Sequence, residues 1–265
     1  MKIYLDHNII IYLRNGNADE LSRKIDDLKS NGNIFLFSPA HLEEIAVSYK
    51  RYNVNKKIID RDISFLTDLC GNNSLRPNTR ESVAVGTEYP IECFQRVIRY
   101  YDRNDEAEMI DREVIVDAND NPAGSPQEMN NILPEDVLEH AHYKERLLCS
   151  LVINKYISQE DSIKYFNSWH FDQSPPKIIR DRFCVLEHSI NLIANWLEKL
   201  GYYREKETKY RSRLHDVSHI IYGRYSDIFV SNDSKLVKKA QAIYAFLGVE
   251  TKVMLMQQFL DDPKL

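Results

Sequence analysis

The stretch Asp227-Ile228-Phe229-Val230-Ser231-Asn232-Asp233 decides how the chain is read. Ile228, Phe229 and Val230 form an apolar, β-prone run that is too short for a helix and bounded by polar turn residues, which predicts a buried parallel strand. Asp233 falls just past its end. Ligands and chemistry in an open α/β sheet sit at the carboxyl ends of the strands, so a carboxylate there is placed to act. The question is which other groups join it.

Around this stretch the chain alternates helix and strand. Before it, Leu214, Val217, Ile221 and Tyr225 mark a helix whose opposite face carries Asp216, His219 and Gly223. After it, Leu236 to Leu247 reads as a helix ended by Gly248, and residues 252–256 as a final strand. The beginning of the chain repeats the pattern. Residues 2–5 are a short strand ending at Asp6, and His7-Asn8 open the apolar run Ile9 to Leu13. Residues 19–29 space Leu21, Ile25 and Leu28 as a helix and stop at Ser30-Asn31-Gly32-Asn33. A second strand covers 34–37, and Ser38-Pro39 then supplies an N-cap and a proline at the first helical position. Leu42, Ile45, Ala46 and Tyr49 form the inward stripe of that helix; Glu44 points away from it, with its side chain tilting back toward the helix start. A helical pattern continues to Leu69 with the basic residues Lys50, Arg51, Lys56, Lys57 and Arg61, a run that reads first as solvated surface. Residues 82–90 are expected to hold a third short strand.

Residues 91–205 read as a body of helices, with the clearest stripe in Leu186, Ile190, Ile193, Leu197 and Leu200. Asp117 to Pro134, rich in Asn, Asp, Pro and Gly, is expected to be a long loop. The expected fold class is α/β: a three-layer α/β/α core with a mainly parallel central sheet, built from residues 1–90 and 206–265, plus an inserted all-helical subdomain over 91–205.

Composition narrows the function. With 265 residues, 43% hydrophobic and 28% charged, the chain can bury a substantial core. No apolar run reaches membrane-spanning length, and Asp6 comes too early for a signal peptide, so a cytoplasmic protein without membrane partners is expected. Cys70, Cys93, Cys149 and Cys184 are far apart and form no paired zinc motif. A net charge of -5 is no footprint of general nucleic-acid affinity, so a polyanion has to be met by a local basic patch or through bound cations.

In a parallel sheet with right-handed crossovers, Asp6, Glu44, Asp216 and Asp233 all come to one sheet edge. Two unit charges about 4 Å apart repel by roughly 4 kcal/mol at an effective dielectric near 20, so four carboxylates call for a divalent cation. All-oxygen ligands suit Mg²⁺ or Mn²⁺. Such an ion can activate water for attack on a phosphodiester and stabilise the leaving oxygen, which is hydrolytic nuclease chemistry.

At these residues the chain resembles the PIN-domain nucleases. The resemblance lies in Tyr4-Leu5-Asp6-His7-Asn8, in Ser38-Pro39-Ala40-His41-Leu42-Glu43-Glu44, in Asp216-Val217-Ser218-His219-Ile220-Ile221 and in Phe229-Val230-Ser231-Asn232-Asp233, covering roughly residues 1 to 60 and 210 to 260. It implies a PIN-like fold, catalysis and metal ligation by Asp6, Glu44, Asp216 and Asp233, and support from Asn8, Ser38, Ser231 and Asn232. It also implies an endoribonuclease that hydrolyses single-stranded or structured RNA by metal-activated water, with DNA a substrate in some branches. The partners it suggests are RNA or DNA, an inhibitory protein or a second copy of the chain, and a toxin or defence role is one setting. The helical middle has no counterpart in the small toxins of the family.

Each residue also has a plainer reading. Asp6 could cap the next helix. Glu43 competes with Glu44 for the position that the resemblance implies, where a six-residue offset from Ser38 favours Glu44. His219, one turn from Asp216 on the same face, could contact a phosphate or position water, or could simply bond a neighbour. Arg204, Lys206, Lys209, Arg211 and Arg213, interleaved with Tyr202, Tyr203 and Tyr210, are candidates to hold phosphates and stack bases, or are an exposed amphipathic run. Two other functions compete: a catalytically silent PIN-like binding or regulatory module, and a haloacid dehalogenase-like phosphatase. The latter needs a second acid two residues after Asp6, where Asn8 stands.

Overall fold

The computed structural model describes residues 1–16, 18–86, 88–101, 104–170 and 175–265, with side chains in the helix from Asn104 described from position 108 onward. The chain opens β1 (Lys2–Leu5), α1 (His7–Arg14), α2 (Asp19–Ser30), β2 (Ile34–Leu36), α3 (Pro39–Tyr52), α4 (Lys56–Cys70), β3 (Leu75–Pro77) and β4 (Val83–Val85). A helical stretch follows: α5 (Pro90–Arg99), α6 (Asn104–Asp120), α7 (Pro126–Met129), α8 (Ala141–Ile153), α9 (Gln159–Ser168), α10 (Lys177–Asp181) and α11 (Phe183–Leu200). It closes with α12 (Tyr210–Gly223), β5 (Ile228–Ser231), α13 (Ser234–Leu247), β6 (Lys252–Leu255) and α14 (Met256–Asp261).

The fold is α/β around a four-stranded parallel sheet in the order β2-β1-β5-β6. Side chains alternate across a strand, so each strand supplies both faces. Tyr4, Leu36, Phe229 and Val253 enter one apolar cluster; Ile3, Leu5, Phe35, Ile228, Val230 and Met254 enter the other, and helices cover both. After β1 the chain builds β2 on one side and later returns to build β5 on the other. The β1/β5 pair is therefore the switch point, where a crevice opens at the carboxyl ends. There the Asp6 N–H donates to the Val230 carbonyl at 2.9 Å.

Helix α12 lies close to the sheet because Gly223 has no side chain: a Cβ there would stand 2.9 Å from the Phe229 ring. Among the described residues, no helix is long and apolar enough to cross a membrane.

Two expectations change and a third holds. The helical stretch is not a body with its own core. Leu147, Leu186, Ile190, Ile193 and Leu197 share the cluster of Tyr4 and Phe229, and α5 packs on α3 and α4 across the sheet. A sheet face left bare would expose its apolar side chains, and α11 covers it together with α12 and α13. Asp117 to Pro134 is not one long loop: α6 runs on to Asp120, Pro126 starts the single turn of α7, and the Ala123 N–H bonds the Lys199 carbonyl at 2.9 Å. The short strand expected within residues 82–90 is present at Val83–Val85. It pairs antiparallel with Leu75–Pro77, which hangs on the end of β2 through Leu75 N–H to the Phe37 carbonyl at 2.7 Å.

Candidate metal centre

Asp6 stands at the N-cap position of α1, yet its side chain makes no capping bond. It is 1% exposed, and its Oδ2 accepts the Ser231 hydroxyl at 2.7 Å and, more weakly, the Asn8 amide at 3.5 Å. The capping reading of Asp6 thus falls away. Asp233 differs. Its Oδ1 accepts the N–H groups of Lys235 and Leu236 at 2.8 and 3.2 Å and starts α13, leaving Oδ2 for other work. Ser231 joins the two acids, since its Oγ also accepts the Asp233 N–H at 3.0 Å.

Glu44 reaches the same place from α3. The start of that helix is set by Ser38, whose Oγ accepts the Ala40 N–H, and by His41, whose Nδ1 accepts the Ser38 N–H at 3.1 Å. The His41 Nε2–H then donates to the Leu5 carbonyl at 2.8 Å. With one nitrogen accepting and the other donating, His41 is neutral. Burial lowers its pKa, His219 and His7 lower it further, and the Leu5 bond does not offset them. A histidine thus fills the capping-box position that Glu or Gln usually holds, and ties the helix start to the end of β1.

His219, on α12, is 1% exposed, and its Nε2 lies 2.9 Å from Glu44 Oε1 and 3.7 Å from Asp6 Oδ1. Its Nδ1 meets the Tyr4 hydroxyl at 2.7 Å, which in turn meets Ser38 Oγ at 2.6 Å. Burial keeps the Tyr4 phenol protonated by raising its pKa well above the usual value. Burial would lower the pKa of His219, but the Glu44 bond and the charges of Asp6, Glu44 and Asp216 outweigh it and hold it above the ordinary value. Burial likewise would raise Glu44, and here His7, His219 and His215 prevail and hold the carboxyl well below the carboxylate range.

Asp6, Glu44 and His219 each offer a ligand atom, all within 4.8 Å of one another. Asp216 and Asp233 lie outside that tight group but within its field. Burial pushes Asp216 well above the ordinary carboxylate value, and the charges of Asp6, Asp233 and Glu44 add to the shift against the lowering by Lys239. Two carboxylates and an imidazole at this spacing fit a divalent cation, with oxygen ligands for Mg²⁺ or Mn²⁺ and a nitrogen that favours Mn²⁺ of the two. Tyr4 is the partner that orients the imidazole from behind.

The structure treats the other candidate residues unequally. Asn232 is exposed and, among the described residues, makes no hydrogen bond to Asp233. Arg213 is not a substrate contact: it is 2% exposed and bound by Asp111, by Asn195 at 2.6 Å and by Glu198 at 3.3 Å. Arg204 spends its guanidinium on the carbonyls of Glu198, Lys199 and Gly124. Lys206 and Lys209 are exposed, and Arg211 is partly exposed beside Glu108. Tyr202 is fully buried and cannot stack on a base. For Arg204, Arg211 and Arg213 the reason is the same: α6, α11 and the loop at Gly124 bring carboxylates and carbonyls onto a run that looks free in the sequence.

Sequence reasoning missed Tyr4 and His215 and gave His7 and His41 less weight than His219. The i, i+4 pair His215 and His219 was the available signal, and Glu44 feels both along with His7. Comparison with known protein families, curated proteins and solved structures finds no match to this chain.

Proposed function

We propose that the protein is a metal-dependent, PIN-like endoribonuclease that hydrolyses phosphodiester bonds. The observation that carries this reading is the gathering of Asp6, Glu44 and His219 at the β1/β5 switch point, with Asp216 and Asp233 adding negative charge. Asp6, Glu44, Asp216 and Asp233 gather around His219, with His7 and His215 reaching Glu44 and Lys239 reaching Asp216, and Mn²⁺ or Mg²⁺ would add positive charge among the acids. The bound ion would lower the pKa of water and neutralise charge on the reacting phosphate. Asp6, Glu44 and His219 would hold it. Ser231 keeps the Asp6 carboxylate turned inward and Tyr4 and Ser38 hold the His219 ring, while Asp216, whose pKa burial pushes well above the ordinary carboxylate value, would be the base that takes a proton from water.

The test is incubation of the purified protein with labelled single-stranded RNA and DNA of one sequence in Mn²⁺ or Mg²⁺, beside Asp6→Asn and Asp233→Asn. Cleavage by the wild type that falls on the order of 10³-fold in Asp6→Asn, about 4 kcal/mol of transition-state stabilisation, is the expected result. A wild type that cuts nothing the two variants spare ends the enzyme reading.

A further inference from the structure

The three groups of the metal cluster come from three separate elements: Asp6 follows β1, Glu44 stands on α3 and His219 on α12. One hydroxyl joins all three elements. Tyr4, on β1 just before Asp6, places its Oη 2.6 Å from Ser38 Oγ at the start of α3 and 2.7 Å from His219 Nδ1 on α12. Tyr4 and Ser38 are fully buried, and among the described residues the Tyr4 hydroxyl is the only hydrogen-bond partner of Nδ1. The imidazole is held on a second side as well. His41 lies edge-on to it with ring centroids 4.8 Å apart, and His41 is itself fixed at both nitrogens, by the Ser38 N–H and the Leu5 carbonyl. His219 Nε2 is thereby kept toward Glu44 and Asp6, at 2.9 and 3.7 Å.

The two ring nitrogens are not independent. In the metal-free protein Nε2–H donates to Glu44 Oε1, and a cation bound to Nε2 takes the place of that proton, which leaves to water. A neutral imidazole then carries its hydrogen on Nδ1, and a buried N–H needs an acceptor. Tyr4 Oη can be that acceptor while its own proton goes to Ser38 Oγ. Without the hydroxyl, ligation through Nε2 would strand a buried donor. Ligation through the carboxylates of Asp6 and Glu44 alone would strand nothing. This difference bears on the choice of ion: Mg²⁺ takes oxygen ligands and keeps several waters, so two carboxylates serve it, whereas a first-row transition ion such as Mn²⁺ gains more from a nitrogen.

We propose that Tyr4 is the positioning residue that sets the ion specificity of this centre: its hydroxyl keeps His219 a nitrogen ligand, and the centre takes Mn²⁺ in preference to Mg²⁺. The inference rests on the metal-dependent reading of the site, though not on what the loaded site cleaves.

The test is calorimetric titration of the metal-free protein with Mn²⁺ and with Mg²⁺, joined to pulsed electron paramagnetic resonance of the bound Mn²⁺, which detects a nitrogen nucleus bonded to the ion. Wild type is expected to bind Mn²⁺ about tenfold or more tightly than Mg²⁺ and to show the nitrogen coupling. Tyr4→Phe is expected to bind Mn²⁺ about tenfold more weakly, with Mg²⁺ binding changed by less than about twofold and the nitrogen coupling reduced or lost. Thermal unfolding checks that the variant is folded. Should Tyr4→Phe fail to fold, Ser38→Ala takes its place: a Tyr4 hydroxyl deprived of Ser38 turns its proton to Nδ1 and opposes nitrogen ligation, so the same selective loss of Mn²⁺ is expected. An equal loss for both ions in the folded variant marks a merely structural role and overturns the proposal, as does Mn²⁺ bound by wild type with no nitrogen coupling. Selectivity and coupling as expected in a protein that cuts neither RNA nor DNA would leave the role of Tyr4 standing and remove the nuclease reading.

Discussion

Helix α12 enters two buried clusters of charge, one near each end, and they are built on opposite plans. Near its start Arg213 meets Asp111 and Glu198, Lys239 meets Glu198 at 2.5 Å and Glu205 at 3.2 Å, and Lys235 meets Glu205 at 3.2 Å. Among the described residues this network sets three cations against three carboxylates. Toward its other end, Asp6 and Glu44 face His219, with Asp216 and Asp233 adding charge outside that tight group. Charges taken out of water are tolerated when partners and hydrogen bonds replace the solvent, so the balanced network holds α6, α11, α12 and α13 together. The unbalanced cluster lacks that compensation, and a folded protein keeps such a deficit where a ligand is to supply it. Balance of charge thus separates scaffold from site when burial alone does not.

The comparison breaks most sharply at Arg213. Arg213→Met removes the cation between Asp111 and Glu198, and a loss of about 3–5 kcal/mol is expected, with a Tm lower by about 10 °C. Urea and thermal unfolding measure it, and a cost under about 1 kcal/mol would show that the network does not hold the helices. Burial already pushes Asp111 up to about 6 despite Arg213 beside it, which marks how little water reaches the pair.

At the site the expected response runs the other way. Mn²⁺ at 100 times its dissociation constant should raise the unfolding free energy of the wild type by about 2.7 kcal/mol. Asp6→Asn should lose that gain and unfold no more easily than wild type without metal, because one repelling charge is gone. Equal stabilisation of the two proteins by Mn²⁺ would place the ion elsewhere.

Glu43 supplies a smaller and pH-dependent test. Its carboxyl is pushed up to about 7, by burial first, then by Glu44 and Glu187, with His219 and Arg96 opposing. The folded state therefore holds the proton more tightly than the unfolded one, whose pKa is 4.5. The associated stability is complete below that value and is lost as pH rises through about 7. In metal-free protein, Glu43→Gln should gain about 2 kcal/mol on wild type at pH 8 relative to pH 5. A difference between the two proteins that does not change with pH would mean that Glu43 is not charged against this cluster.

Asp6, Ser231 and Asp233 were legible because strand ends can be read from short apolar runs, and a parallel sheet puts those ends on one edge. Glu44 was singled out over Glu43 only through the resemblance, by its offset from Ser38. Tyr4 was hidden: an inward position on a buried strand reads as core whether or not its hydroxyl bonds a histidine. The basic run before Asp216 was misread for a related reason. An arginine that will meet Asp111 or Glu108 looks the same in sequence as one left in water, and those partners lie 102 and 103 residues away.

Taken alone, the sequence determined the local matters: which segments are strands, where Ser38-Pro39 and Asp233 start helices, and which acids fall at strand ends. These depend on propensity, periodicity and capping within a few residues. Only the tertiary structure decided that His219 stands between Glu44 and Asp6, that Arg213 is spent on ion pairs, and that Glu108 bonds both Arg51 and Arg211. Charge in a protein acts through space, and the separations that set its sign and strength come from packing between distant segments.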